Sequence, residues 1–307
     1  MTMEPWDELL ADAERAALRA WEAISPYWRS SGLESFVKAD DSPVTVADRM
    51  ADKLIVESLQ ERYPASEYGY LTEEFEHGLE RLERRRVWII DPIDGTRDFM
   101  RGGSQFAIQV GVAERLEDGH YRPVAAVVYQ PITGDVFFAA RGGGAFVRRE
   151  ADLTNGAAMW WQEGGRGLAG ASWDAPKALR ASRKADLSAL TAVITSSRPP
   201  ERLKRALDKI AVKDVFQSGS MGVKVAMVAS DRADFYMNLE PNRCKEWDIC
   251  APQLILEEAG GRVSDAFGRE LTYNLESPAK TNGVVASNRV SHEAILSAIA
   301  DLEDLPR

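Results

Sequence analysis

Four acidic elements, each at the edge of a regular segment, hold most of the chemistry in this sequence: Asp48, Glu73, the pair Asp91 and Asp94, and Asp248. The densest stretch is Asp91-Pro92-Ile93-Asp94-Gly95-Thr96, directly behind the apolar run Val87-Trp88-Ile89-Ile90. That run reads as a short strand buried on both faces and ended by Pro92, which cannot donate to a ladder. Two carboxylates three residues apart then lie in a turn at the strand's carboxyl end, where α/β folds carry their ligands. Gly95 lets the backbone approach a ligand closely, and Thr96 offers a hydroxyl and an amide at a helix start. Acids beside anion-receptive amides call for a cation between them, and Mg²⁺ bridging carboxylates and a phosphate meets that need. A plain Asp-rich turn with a helix cap explains Asp-Pro or Asp-Gly taken singly, but not the whole string behind a buried strand.

The other acids have local explanations of their own. Thr45 and Asp48 form a capping-box-like start to a helix running to about Arg62, and capping alone accounts for Asp48. Glu73 and Glu74 follow a short apolar piece, Tyr68 to Leu71. Asp248 falls in the first turn of an apolar helix that opens at Trp247 and ends at Gly260-Gly261, where the helix dipole favours a carboxylate. The three histidines, His77, His120 and His292, lie in ordinary polar settings, and neither Cys244 nor Cys250 has a histidine nearby in sequence. Triad, Cys-His and zinc chemistry are therefore poorly supplied. Hard oxygen ligands select Mg²⁺ or Mn²⁺, and a pair of such ions can activate a water while stabilising a leaving oxygen. The chemistry indicated is metal-assisted hydrolysis of a phosphate ester. A non-catalytic Ca²⁺ or phosphate-binding module is the alternative of another class, and the lack of an EF-hand loop counts against its best-known form.

The elements that must position these groups follow from periodicity. Pro5 to Ile24 carries apolar residues at helical spacing. Phe106 to Val112, Val124 to Tyr129 and Asp135 to Ala139 read as strands, with an Asp118-Gly119 hairpin turn between the first two. Gly142-Gly143-Gly144 lacks the Gly-Lys-Ser/Thr ending of a phosphate loop and reads as a strand turn. Further on come a strand at Leu190 to Thr195, a helix at Glu201 to Ile210, a small-residue turn at Phe216 to Ser220 and a helix at Met221 to Ala229 carrying Lys224. A strand at Ala233 to Leu239, another near Val284 to Ala286 and a helix at Ser291 to Leu302 complete the pattern. The chain divides into a first half, 1–148, carrying the main acidic motif, an insertion or linker, 149–187, and a second half, 188–307, carrying Asp248.

Composition bounds the function. The 307 residues are 45% hydrophobic and 28% charged, which suits one large globular unit or two closely packed halves. No run approaches the ~20 apolar residues of a membrane helix, and Met1 to Asp12 lacks the features of a signal peptide. Two cysteines agree with a reduced compartment, so the expectation is a soluble cytoplasmic protein with no membrane insertion. A net charge of −10, from 38 basic and 48 acidic residues, argues against a nucleic acid polymer as partner. It leaves small phosphorylated substrates open, since a metal supplies positive charge locally.

Asp91-Pro92-Ile93-Asp94-Gly95-Thr96, Glu73-Glu74 upstream and Trp247-Asp248 downstream resemble the inositol monophosphatase superfamily of Mg²⁺-dependent, lithium-sensitive phosphatases, in order and spacing from about Lys38 to Ala286. The resemblance implies an α+β or α/β fold, a layered α-β-α-β-α sandwich of the sugar-phosphatase type. It implies that Glu73, Asp91, Asp94, Asp248 and the Ile93 carbonyl bind two or three Mg²⁺ ions, with Mn²⁺ as a substitute. Thr96 and Asp48 would orient the attacking water, the Gly95 and Thr96 amides would hold phosphate, and Lys38 matches a basic residue near the metals. Within the superfamily, Lys38 to Thr45 and Cys244 to Pro252 look most like the 3'(2'),5'-bisphosphate nucleotidases, which act on 3'-phosphoadenosine 5'-phosphate. Arg97-Asp98-Phe99 and Ser197-Arg198-Pro199-Pro200 depart from that branch, and an inositol or polyol monophosphatase is the alternative. A second phosphate needs donors away from the metals. Arg198, Lys224 and Lys245, or Arg243 beside Lys245, are the candidates. Oligomeric state is not legible.

Overall fold

The computed structural model describes residues 6–30, 35–37, 43–75, 78–149, 175–195, 199–302 and 305. Helix α1 (Asp7–Ile24) carries the expected apolar stripe and packs it on α2 (Val46–Gln60), which a short hairpin of β1 (Ser35–Val37) and β2 (Pro43–Thr45) leads into. Both helices lie on a seven-stranded sheet made of β3 (Tyr68–Thr72), β4 (Arg86–Asp94), β5 (Ala107–Arg115), β6 (Tyr121–Gln130), β7 (Asp135–Ala140), β8 (Gly144–Arg149) and β9 (Lys177–Ala178). The strands stand side by side in chain order, with β3 and β4 parallel and every other neighbour antiparallel. Of the expected linker, Lys177 and Ala178 supply the last strand of this sheet, and residues 150–174 lie outside the described residues.

Between β4 and β5 comes α3 (Thr96–Met100). The second sheet has the order β11-β10-β12-β16-β14, from β10 (Thr191–Thr195), β11 (Asp214–Ser218), β12 (Phe235–Asn238), β14 (Arg262–Ser264) and β16 (Val284–Ser287). Its helices are α4 (Glu201–Ile210), α5 (Met221–Ala229), α6 (Glu246–Glu258) and α7 (His292–Ile299), and a short pair, β13 (Cys244–Lys245) with β15 (Ala279–Lys280), sits at the start of α6.

Alternation along the strands decides the layering. In β4, Trp88 and Ile90 join the core with α1 and α2, whereas Val87 and Ile89 join the core with α5 and α6, so the strand is buried on both faces as its apolar run requires. The α5–α6 layer also meets Val193, Tyr236 and Ala286 of the second sheet, whose far face is covered by Leu203 and Ile210 of α4 and Ile295 and Ile299 of α7. The order is helices, sheet, helices, sheet, helices, which is the expected α-β-α-β-α sandwich.

Two local expectations fail for identifiable reasons, and one strand goes unannounced. Pro92 does not end β4: the strand continues to Asp94 because the lost donor falls in a bulge, where the ladder shifts register between Asp91 and Asp94. The stretch expected as a turn at Phe216 to Ser220 is mostly strand, β11, an edge strand whose Val215 and Phe216 side chains stay exposed, so no burial pattern announces it. Strand β14 is too short to give a periodic signal. The Gly142–Gly144 turn does join β7 to β8 as read, and its Gly142 and Gly144 N–H groups donate to the Glu258 carboxylate at 2.8 and 2.9 Å. The anion this glycine turn holds is a side chain of α6.

Candidate metal centre

Residues three apart on a regular strand point to opposite faces, so Asp91 and Asp94 would be separated by β4 itself. The bulge removes that obstacle. Asp91 pairs in register with Gln109 and Asp94 with Ala107, so β4 has one residue more than β5 across the interval. The first turn of α6 brings Asp248 to the same place, and carboxylate oxygens of Asp91, Asp94 and Asp248 lie within 4.8 Å of one another. Each acid anchors one oxygen on the protein. Asp91 Oδ1 accepts the Ile93 N–H at 3.1 Å, and Asp248 Oδ2 accepts the Lys245 N–H at 2.6 Å. Asp94 Oδ2 accepts Gln109 Nε2 at 2.7 Å, the Gly222 N–H at 2.6 Å and the Ser220 hydroxyl. The second oxygen of Asp91 and that of Asp248 receive no hydrogen bond from the described residues, and Asp94 takes a further backbone bond from Met221.

The electrostatics match that arrangement. Burial pushes Asp91 well above the usual carboxylate range, and the charges of Glu73, Asp94, Asp248 and Glu74 push it further. Asp248 is raised well above that range by burial and then by Asp94 and Glu73. Burial also raises Asp94, while its bonds from Ser220 and Gly222 and the Lys224 charge hold it back. Glu73 stands outside the tight group of three but within electrostatic reach of two of its members. Clustered carboxylates with unclaimed hard oxygens are what a Mg²⁺-sized cation requires, so the residues present fit such an ion.

Asp48 reaches the cluster from α2. Its Oδ2 accepts the Thr45 N–H at 2.7 Å and the Thr45 hydroxyl at 2.6 Å, and its Oδ1 accepts the Thr96 hydroxyl at 2.9 Å. Capping and contact with Thr96 therefore coexist, one carboxylate oxygen serving each. Thr96 Oγ1 is also 3.2 Å from the Ile93 carbonyl. Gly95 joins the motif to α3 at φ +105°, and a Cβ there would fall 2.9 Å from the Gln105 carbonyl, so glycine is needed on both counts.

The cations expected around a second phosphate fare differently. Lys38 and Arg198 lie outside the described residues. Arg243 is exposed, and Lys245 is half-buried at the start of α6. Lys224 is 3% exposed, with Nζ donating to the Gly219 carbonyl at 2.9 Å and lying 5.0 Å from the centre of the Tyr236 ring. Burial draws its ammonium down to about 8, against the pull of Asp94 and Asp248. It is a buried cation within electrostatic reach of the acids.

Of the histidines, His77 lies outside the described residues, His120 is exposed, and His292 is fully buried between Ser264 and Ser287. The polar setting expected for His292 is thus an internal one. Both thiols are buried and raised well above their usual range by burial, which leaves them inert. Sequence reasoning passed over Gln109, Ser220 and Gly222, the three anchors of Asp94. For Gln109 a signal existed, since it is the one polar residue in the run Phe106 to Val112.

A five-layer sandwich with an acid cluster where its first sheet meets the middle helices defines the class of protein. The chain belongs to the inositol monophosphatase family, whose model matches residues 6–304. Its relatives carry different names. It is 31% identical over 261 residues to the Nus factor SuhB of Haemophilus influenzae, covering 84% of this chain and 85% of that protein. It is 29% identical over 268 residues to the 3'(2'),5'-bisphosphate nucleotidase CysQ of Aggregatibacter actinomycetemcomitans, covering 87% of each. Among solved structures, an inositol monophosphatase from Zymomonas mobilis superposes with a TM-score of 0.71 at 25% identity, covering 97% of this chain and 100% of that one.

Proposed function

We propose that this chain is a Mg²⁺-dependent phosphomonoester hydrolase. The observation that carries the reading is the arrangement of Asp91, Asp94 and Asp248: one oxygen of each is tied to the protein, and carboxylate oxygens of all three converge in a group of like charges with Asp91 buried at its base. These three, with Glu73 and the Ile93 carbonyl, would hold the metal. When bound, Mg²⁺ supplies the positive charge that polarises a phosphoryl group and lowers the pKa of a nearby water. The chain's own groups do the rest. Thr96 donates its one hydroxyl hydrogen to Asp48, so its oxygen can accept a hydrogen bond from water and orient it. Gly95 and Thr96 offer backbone N–H groups to phosphate oxygens at the turn into α3. Lithium sensitivity belongs to the same proposal.

For the substrate, we favour a 3'(2'),5'-bisphosphate nucleotide, 3'-phosphoadenosine 5'-phosphate above others. The runs Lys38 to Thr45 and Cys244 to Pro252 support it, as does the relative named for that activity. An inositol or polyol phosphate is the alternative, favoured by the Zymomonas mobilis structure. A phosphate-release panel tests both levels. Release from the nucleotide with higher kcat/KM than from inositol 1-phosphate, abolished by a chelator, is the expected result. The reverse preference selects the polyol reading. No metal-dependent release from any ester leaves the non-catalytic binding module.

A further inference from the structure

Gln109 sits in the middle of β5 with no exposure to solvent, beside the apolar residues Ile108 and Val110. Its Nε2 donates to Asp94 Oδ2 at 2.7 Å, and its Oε1 is buried with no hydrogen-bond partner. An orphaned buried acceptor loses its hydration with nothing in return and is destabilising. Turning the carboxamide over would set Oε1 against the Asp94 carboxylate, so the acid fixes the orientation and the orphan persists. A strand core has no need of such a residue, because Leu or Met would fill the place with no unsatisfied atom.

What Gln109 does for Asp94 accounts for it. Asp94 Oδ2 takes two more donors, the Ser220 hydroxyl and the Gly222 N–H, and both come from the start of α5. Gly222 belongs to the same fit, since a Cβ there would fall 2.9 Å from the Gln109 carboxamide carbon. Three donors thus converge on Asp94 Oδ2, and the Met221 N–H adds a further bond to the same carboxylate. Only Gln109 acts from the sheet that carries Asp94 itself; the others belong to a helix of the second half. The three bonds distinguish two oxygens that rotation of the carboxylate would otherwise exchange.

We infer that Gln109 is a positioning residue that holds Asp94 Oδ2 in place and so leaves Oδ1 for a divalent cation. The inference rests on the reading of Asp91, Asp94 and Asp248 as a metal site. Two variants of the full chain test it. Gln109→Met keeps the length and removes the donor and the orphan together; Gln109→Asn keeps the amide but is about 1.5 Å too short to reach. Mn²⁺ affinity is measured by calorimetry without substrate, alongside the melting temperature of the metal-free proteins. The Mn²⁺ Kd rises about tenfold or more in both variants. Metal-free Gln109→Met melts at or above the parent, because its packing is kept and the orphan oxygen is gone. A Kd within twofold of the parent in either folded variant overturns the inference, and so does a failure of both to fold, which would make Gln109 a packing residue. If the parent itself binds no Mn²⁺, the metal reading fails and the inference falls with it, a result visible before any variant is made.

Discussion

Each acid of the cluster is anchored through one oxygen, and that anchoring and its surroundings make opposite demands on its charge. The anchoring oxygen needs a carboxylate to accept N–H donors, while burial and the neighbouring acids disfavour that same carboxylate. On the proposed reading, a divalent cation would resolve the conflict. Asp91 feels it most, being 1% exposed and raised by four other acids. Asp91→Asn keeps the size and removes the charge. Loss of about 4 kcal/mol of transition-state stabilisation lowers kcat about a thousandfold, while the variant stays folded and, without metal, melts above the parent because one repulsive charge is gone. Phosphate release and thermal scans in chelator check both halves; near-parent Mg²⁺-dependent turnover would refute the assignment.

At the scale of elements, the second sheet and α7 are joined through one imidazole. His292 at the start of α7 meets Ser264 of β14 at 2.9 Å through Nε2 and Ser287 of β16 at 2.7 Å through Nδ1. The Ser264 hydroxyl donates its proton to the Asp265 carbonyl, so Nε2 carries the histidine proton and Nδ1 accepts from Ser287. Burial, then the charges of Arg262 and Arg289, hold this neutral ring down to about 4. The unfolded chain binds the proton near 6.5 and the folded one near 4, so the unfolded state holds more protons between those values. The stability is whole above about 6.5 and is lost as pH falls toward 4. Between pH 7.5 and 5 the loss comes to about 2 kcal/mol, and His292→Gln removes this part of the slope. Urea unfolding at the two pH values measures it, and equal slopes in parent and variant would contradict the clamp. Elements were legible in the sequence where side chains alternate or repeat: α1, α2, α4, α6 and strands β5 to β7 stand where periodicity placed them. The acids were legible because of their density and their position behind a buried strand. What failed to show was set by partners distant in sequence. The bulge at Pro92 exists because β5 pairs across it, β11 is a strand only through β10, and Lys224 is buried only because α5 lies between two sheets. Gln109 was visible as an anomaly, but its purpose needed Asp94 beside it.

For the whole molecule, the consequence is that the cluster is divided between layers. Asp91 and Asp94 come from the first sheet, Asp248 from the middle helices, and α5 of the same layer anchors Asp94. No single layer carries the cluster, so an ion that binds it binds the assembled sandwich and not its parts. Ligand binding to the folded state alone stabilises it by about 2.7 kcal/mol at a hundredfold excess over Kd. For a chain of this size that corresponds to a rise of several degrees in melting temperature. Mg²⁺ or Mn²⁺ therefore raises the melting temperature of the parent, and chelator reverses it. Asp91→Asn and Asp248→Asn, which remove ligands from different layers, lose most of this shift to a similar degree. Because the middle helices pack against both sheets, the rise moves one cooperative transition. Two transitions of which metal moves only one would show that the layers unfold apart, and a parent-like shift in Asp248→Asn would show that α6 contributes no ligand.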